Sequence, residues 1–180
     1  MNIFYLSHDT KACAEMHNDK HTVKMILEYA QLLSTAHRVL DGTPGISLSD
    51  SGRKRQTFTL SDGRDSILYT ATHVNHPSAI WVRQSHANYV WLYRMFCSLM
   101  DEYTYRYGKI HACNRLADTL SYRPFNLPKG EFTEPTPAMP EDIRIPGDYI
   151  ASYRNYYIKS KSHLANWKKR NVPDWYSNNA

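Results

Sequence analysis

Apolar residues along this chain recur mostly at steps of three and four, the period of a helix, and only briefly at steps of two. The longest such stretch is His17–Leu40 (HNDKHTVKMILEYAQLLSTAHRVL). On a helical wheel, Val23, Met25, Ile26, Leu27, Tyr29, Ala30, Leu32, Leu33 and Ala36 cover about two thirds of the circumference. What remains is a narrow polar stripe of His21, Lys24, Glu28, Gln31 and Thr35. An ordinary surface helix has the reverse proportions, an apolar stripe on a polar cylinder. The inversion predicts a largely buried helix whose stripe faces either a thin strip of solvent or an internal cleft.

The same reading places the other elements. Asn2–Ser7 (NIFYLS) is expected to be extended and tucked into the fold. Asp9 or Thr10 caps a short helix through Met16, and Asn18 or Asp19 caps the long one, which Asp41-Gly42 ends. Thr43–Asp50 reads as loop. KRQTFTL-SDGR-DSILYTA then reads as a β-hairpin, from the alternation of Phe58, Leu60, Ile67 and Tyr69 and an Asp62-Gly63 turn. His76-Pro77 opens a helical region with proline at its first position. Pro77–Gln84 and Ala87–Tyr107 read as two helices or one bent one, with a core face of Val90, Leu92, Met95, Phe96, Leu99, Met100 and Tyr103, ending at Gly108.

Ile110–Tyr122 is expected to be a further helix. Pro124–Pro146 carries six of the nine prolines and reads as a surface loop crossing the domain. Asp148–Lys169 is the last helical stretch, followed by an aromatic tail. The expected architecture is mainly α: a compact single-domain helical bundle over residues 1–180, with a loop and hairpin at 43–72, a Pro-rich crossing loop at 124–147 and a basic-aromatic segment at 148–180.

Composition adds one asymmetry. The net charge of +5 is carried entirely by Ala151–Ala180, where Arg154, Lys159, Lys161, Lys168, Lys169 and Arg170 face one acid, Asp174. Tyr153, Tyr156, Tyr157, Trp167, Trp175 and Tyr176 interleave with them. Cations among aromatics suit a polyanion with stackable bases, so a nucleic acid or nucleotide is the expected partner. The competing reading is a helix whose aromatics dock on the core while its lysines stay solvated. Cys13, Cys97 and Cys113 fall at no metal-like or redox-like spacing, and their odd number argues against a disulfide framework. No signal peptide or membrane span is legible, so a soluble protein of a reducing cytoplasm is expected. GxGxxG, GxxxxGK[ST], GxSxG, HExxH and CxxC are all missing, which argues against the commonest oxidoreductases, NTPases and serine hydrolases.

Several polar groups are candidates for chemistry. On the long helix, Lys24 and Glu28 form either an ordinary ion pair or, in a cleft, a phosphate-holding cation beside an acid/base. His21, Lys24 and Glu28 are the expected catalytic residues, with His17 and Lys20 binding substrate alongside them. His17 and His21 stand one turn apart, but no third ligand has a telling spacing and the lysines repel a cation; no metal or cofactor is expected. Asn75 and His76 precede a helix N-terminus, where anions are favoured, or are simply a capped loop. Trp81, Arg83 and Asn88 are candidates to stack on and hydrogen-bond a base; Arg154 and Tyr157 complete the expected substrate contacts.

With these residues in view, the chain resembles the bacteriophage pyrimidine dimer DNA glycosylase (endonuclease V) family. The likeness is one of layout: a short extended N-terminus, then Lys20-His21-x-x-Lys24 where the family has Arg-Glu-x-x-Arg, a helix of the Tyr89–Gly108 type, and a late Tyr-x-x-Tyr-Tyr at Tyr153–Tyr157. The chain is also similar to phage proteins of no assigned activity that share DKHxVKM and SYRNYYIxxKSH segments. The family resemblance implies a helical, metal-independent enzyme, in the host cytoplasm if phage-encoded, that cleaves the N-glycosidic bond of a damaged pyrimidine. It implies a terminal α-amine as nucleophile toward the sugar C1′, a helix glutamate handling protons, and Lys20 and Lys24 on phosphates.

Two positions depart from the pattern. His21 stands where the family has glutamate, so the carboxylate would come from Glu28 or Asp19. Asn2 is too large for the usual removal of methionine, so the amine is expected to be that of Met1. Two alternatives to a glycosylase-like enzyme stay open: an enzyme or sequestering protein for a small mono- or cyclic nucleotide, and a non-catalytic nucleic-acid-binding protein.

Overall fold

The computed structural model describes residues 1–48 and 52–179, and among them the chain is mainly helical with one small antiparallel β-hairpin. Each of the main helices starts where a polar side chain can take an orphan N–H. Asp9 accepts the N–H of Ala12 at 2.7 Å and starts α1 (Thr10–Met16). Asn18 accepts that of His21 at 2.8 Å and starts α2 (Asp19–Asp41), the helix with the inverted wheel. The His76 ring caps α4 (Pro77–Val82), and Ser85 caps α5 (His86–Tyr107). Gly108 ends α5 at φ 64°, a left-handed conformation that costs glycine nothing.

α2 packs against α5 and α4, and α1 also lies on α5. Met25, Ile26, Tyr29, Leu32 and Leu33 meet Leu92, Met95, Phe96 and Leu99 in one buried cluster. The N-terminal run Ile3–Leu6 belongs to the same cluster, buried yet paired with no strand among the described residues. Its backbone is satisfied by side chains instead: Phe4 N–H donates to the Tyr29 hydroxyl at 3.2 Å, the Cys13 thiol donates to the Phe4 carbonyl, and Arg154 donates twice to the Leu6 carbonyl.

The hairpin lies elsewhere than its turn signal suggests. β1 (Thr43–Leu48) pairs with β2 (Lys54–Thr59), from Thr43↔Thr59 to Leu48↔Lys54. The expected loop at 43–50 is therefore mostly strand, with residues 49–50 outside the described residues. The expected second strand instead holds a short helix, α3 (Arg64–Ile67). The cause is Arg38 on α2, nearly fully buried, which donates to the carbonyls of Phe58, Asp65, Leu68 and Tyr69 and to the Asp65 carboxylate. The chain from 58 to 69 wraps around that guanidinium rather than pairing with itself.

Two further expectations are corrected. Ile110–Tyr122 is not one helix but a 3-10 turn (Ala112–Leu116) running into α6 (Ala117–Ser121). The last helix stops early: α7 (Tyr149–Ser160) is followed by a 3-10 turn at Ser162–Leu164, an irregular stretch, and α8 (Asp174–Ser177). The irregular stretch is held by Trp167 Nε1 donating to the Met16 carbonyl and Lys168 N–H donating to Asp19, both at 2.9 Å. These tertiary bonds replace the helical ones that would have carried α7 onward. The Pro-rich loop crosses the domain with a single 3-10 turn at Glu141–Ile143. No helix among the described residues is long and apolar enough to cross a membrane.

Arg106 fastens the frame. Fully buried on α5, it donates to Glu102 at 2.6 Å, to Asp19 at the start of α2 at 2.9 Å, and to the Glu15 carbonyl at the end of α1 at 3.0 Å. Arg106→Met would strand these acceptors in the interior, and removing one partner of a buried pair costs about 3–5 kcal/mol. Urea unfolding of the variant should show a loss of that order, with an unchanged m-value.

Candidate active site

The polar stripe of α2 divides into three environments. At its centre, Glu28 Oε2 accepts the N–H of Asn2 at 3.2 Å and lies 4.0 Å from the terminal amine of Met1. Its other oxygen is 3.2 Å from Lys24 Nζ one turn earlier. The Glu28 side chain is 14% exposed, whereas that of Lys24 is 70% exposed. The amine is delivered here because Ile3–Leu6 is buried along α2, and because Asn2 is clamped at both ends of its amide. Asn2 Nδ2 donates to the Ala138 carbonyl at 2.9 Å, and the Tyr153 hydroxyl donates to Asn2 Oδ1 at 2.8 Å.

Toward the C-terminal end, the loop before α4 covers the stripe. Thr72 N–H donates to the Thr35 hydroxyl at 3.2 Å, and that hydroxyl lies 3.3 Å from the Thr72 carbonyl. His73 follows in a left-handed backbone conformation, φ 49°, a costly choice for a residue with a Cβ. Its neighbour His76 is electrostatically coupled to the centre. Burial first, then the positive charges of the terminal amine and His73, hold the His76 imidazole below its ordinary range against the pull of Glu28. Its Nδ1 accepts the Ser78 N–H at 3.1 Å, so a neutral His76 carries its proton on Nε2.

Toward the N-terminal end the stripe borders an open groove of about 900 Å³. Lys20 and Lys24 line it from α2, and Lys161, His163 and Asn166 from the far end of the chain. Asp19 also lies on its wall, but is engaged by Arg106 at 2.9 Å and by the backbone N–H of Lys168 at 2.9 Å. Of the two carboxylates able to serve the amine, Glu28 is the one beside it.

His21, expected to carry a proton, also borders this groove, with its ring packed inward. Its ring is 5% exposed, stacks on Phe4 with centroids 4.1 Å apart, and sits with Nδ1 2.6 Å from the Tyr157 hydroxyl. Burial, followed by the charges of His17, Lys161 and Lys24, pushes its pKa down to about 3, so it is uncharged near neutrality. His17 is fully buried; its Nδ1 donates to the Cys13 carbonyl at 2.7 Å, and burial pushes its pKa down to about 4.

Trp81 and Asn88 are also core residues. Trp81 Nε1 and the Asn88 side chain hold the Pro-rich loop at Thr133, and both residues are almost fully buried. Arg83 turns back onto the Ala79 carbonyl at 3.0 Å. Arg154 is spent on the Leu6 carbonyl and the Trp175 face, and Tyr157 is buried behind His21. Asn75 is exposed beside His76. The structure thus places Glu28 and its partner Lys24 by the amine, couples His76 to them electrostatically, and puts Lys20, His21 and Lys24 on the groove wall; His17, Trp81, Arg83, Asn88, Arg154 and Tyr157 pack into or against the frame. Lys161 was legible only as one cation of the basic-aromatic segment, and His163 only by its place in the KSKSH segment after α7. Among the described residues no group of three or more His, Cys, Asp or Glu side chains is arranged to hold a metal ion.

The pyrimidine dimer DNA glycosylase family matches residues 1–114, more than half of the 180-residue chain, and the chain belongs to that family. The matched part contains the Met1 amine, Lys20, Lys24, Glu28 and His76; the far wall of the groove and the clamp on Asn2 lie beyond it. No curated protein and no solved structure gives a match.

The buried histidines set a pH dependence. His17 and His37 titrate near 4 and His21 near 3 in the folded chain, against an ordinary 6.5 when unfolded; burial is the largest cause for each. Their folded pKa values are depressed, so the unfolded state takes protons first as the pH falls. The stability held by keeping these rings neutral is fully present above about pH 6.5 and should drain between there and about 3. His21→Gln keeps an acceptor for Tyr157 but cannot titrate, so its unfolding midpoint should fall less steeply over that window.

Proposed function

We propose that the chain is a DNA glycosylase whose Met1 amine attacks C1′ of a damaged pyrimidine nucleotide, with Glu28 as its proton-handling partner. The observation that carries this reading is the 4.0 Å approach of the amine to a carboxylate that Lys24 holds from the other side. An α-amine with an ordinary pKa of about 8 is a usable nucleophile once it gives up a proton, and Glu28 is the nearest carboxylate acceptor. Attack forms the N–C1′ bond as the C1′–N bond to the base breaks, and the base leaves with a proton. Opening of the sugar ring then gives a protonated imine, which water hydrolyses to restore the amine. Lys20, Lys24 and Lys161 supply charge for the phosphates flanking the lesion, and His76 is within electrostatic reach of the amine as a second proton carrier. A second reading rests on the groove's volume: about 900 Å³ also suits a mononucleotide.

Borohydride reduction during incubation with a duplex containing a pyrimidine dimer should trap a covalent adduct at Met1, located by peptide mass spectrometry. Glu28→Gln should slow base release by about 10²–10⁴, the usual contribution of a positioned acid/base, while duplex affinity stays close to wild type. Absence of both adduct and base release would sink the proposal. Lys20→Gln with Lys161→Gln should lower the slope of log affinity against log salt by roughly two, one for each phosphate no longer neutralised. Affinity for a mononucleotide that hardly responds to salt would favour the second reading.

A further inference from the structure

The hairpin is out of proportion to its packing. β1 and β2 project from the end of α2 as a two-stranded arm about 20 Å long, at about 3.4 Å per residue. Every residue of β1 is exposed, as are Lys54, Arg55 and Gln56 of β2. Ile46 and Leu48 are 73% and 68% exposed, an expensive display of apolar surface for a segment that contributes no residue to the core. The register explains what they sit beside: Ile46 pairs with Gln56 and Leu48 with Lys54, so these four side chains share one face. Arg55, opposite Ser47, emerges from the other face.

We propose that this β-arm is a duplex-DNA probe that enters the major groove beyond the lesion; the inference rests on the glycosylase reading above. Three features support that occupant. A two-stranded ribbon fits the major groove, which is about 12 Å wide. Lys54 and Arg55 are neighbouring exposed cations on long side chains, so a ribbon lying in the groove keeps both charges within reach of the phosphates that flank it. The face that carries Lys54 combines apolar Ile46 and Leu48, suited to thymine methyl groups, with the Gln56 amide, suited to an adenine edge. The arm also lies in series with the candidate site. Along α2 come the cationic groove, then Glu28 with the amine, then the arm's root at Thr43. The 23 residues of α2 span about 34 Å, roughly one turn of duplex.

The test uses the full chain and two double variants, K54Q/R55Q and I46S/L48S, whose exposed positions leave the folded core untouched; thermal unfolding checks this. The substrates are a lesion-bearing duplex of about two helical turns and a lesion-bearing single strand of a few nucleotides. For the duplex, K54Q/R55Q should weaken binding and reduce the salt slope by roughly two, while I46S/L48S should weaken binding without changing the slope. Base release from the short single strand should match wild type in both. Duplex affinities within about twofold of wild type for both variants, with wild type active, would overturn the arm's role alone. So would a wild-type dimer that the variants convert to monomers at unchanged duplex affinity, which would make the arm a contact between copies. A wild-type chain that neither binds the duplex nor releases base would overturn the glycosylase reading and the arm's role together.

Discussion

The burial of Ile3–Leu6 along α2 is the contact on which the rest of the arrangement hangs. A segment of such apolar residues would ordinarily join a sheet, where neighbouring strands satisfy its backbone. Among the described residues the strands form only the projecting hairpin, so the polar atoms of Tyr29, Cys13 and Arg154 satisfy that backbone one bond at a time. This is possible because α2 is buried around most of its circumference, only Lys20, Val23, Lys24 and Leu27 being exposed, and so takes neighbours on several sides at once. The amine of Met1 then has little choice of position, since Ile3–Leu6 are inside the protein.

A second layer of constraint keeps the charges near the site from cancelling. Glu102, Asp19, Arg106 and Arg170 form one connected set, mostly buried, that joins α5, the start of α2 and the C-terminal stretch. The set absorbs the acid on the groove wall and simultaneously fixes the chain that carries Lys161 and His163. Structure and electrostatics are therefore not separable here: the ion pairs that hold the groove's two walls together also leave its lining cationic.

Much of this was legible in the sequence, and the failures have particular causes. The caps at Asp9, Asn18 and His76 are local signals, and local hydrogen bonds decide them; the wheel of α2 predicts its burial, but Val23 and Leu27 of the apolar set are exposed and His21 and Thr35 of the polar stripe are buried, because tertiary neighbours decide which edge is covered. The Asp62-Gly63 turn is also a local signal, but the hydrogen bonds from Arg38 outweigh it, and no periodicity announces a buried arginine. Helical spacing placed His21 and Glu28 on one stripe without revealing that Phe4 and Tyr157 cover the first and leave the second beside the amine. Choosing Glu28 over Asp19 required contacts between residues far apart in the chain, as did finding Lys161 and His163. Trp81 and Asn88 looked like base-binding residues because a stacking ring and a core ring are the same residue in a sequence; only the Pro-rich loop laid over them tells the two apart.

The clamp on Asn2 bears on how the molecule comes into being. One jaw is the carbonyl of Ala138 in the Pro-rich loop and the other is the hydroxyl of Tyr153 on α7. During synthesis the first residues leave the ribosome long before either jaw exists. The Asn2 side chain therefore stays unclamped until the chain has been made through Tyr153 and α7 has docked.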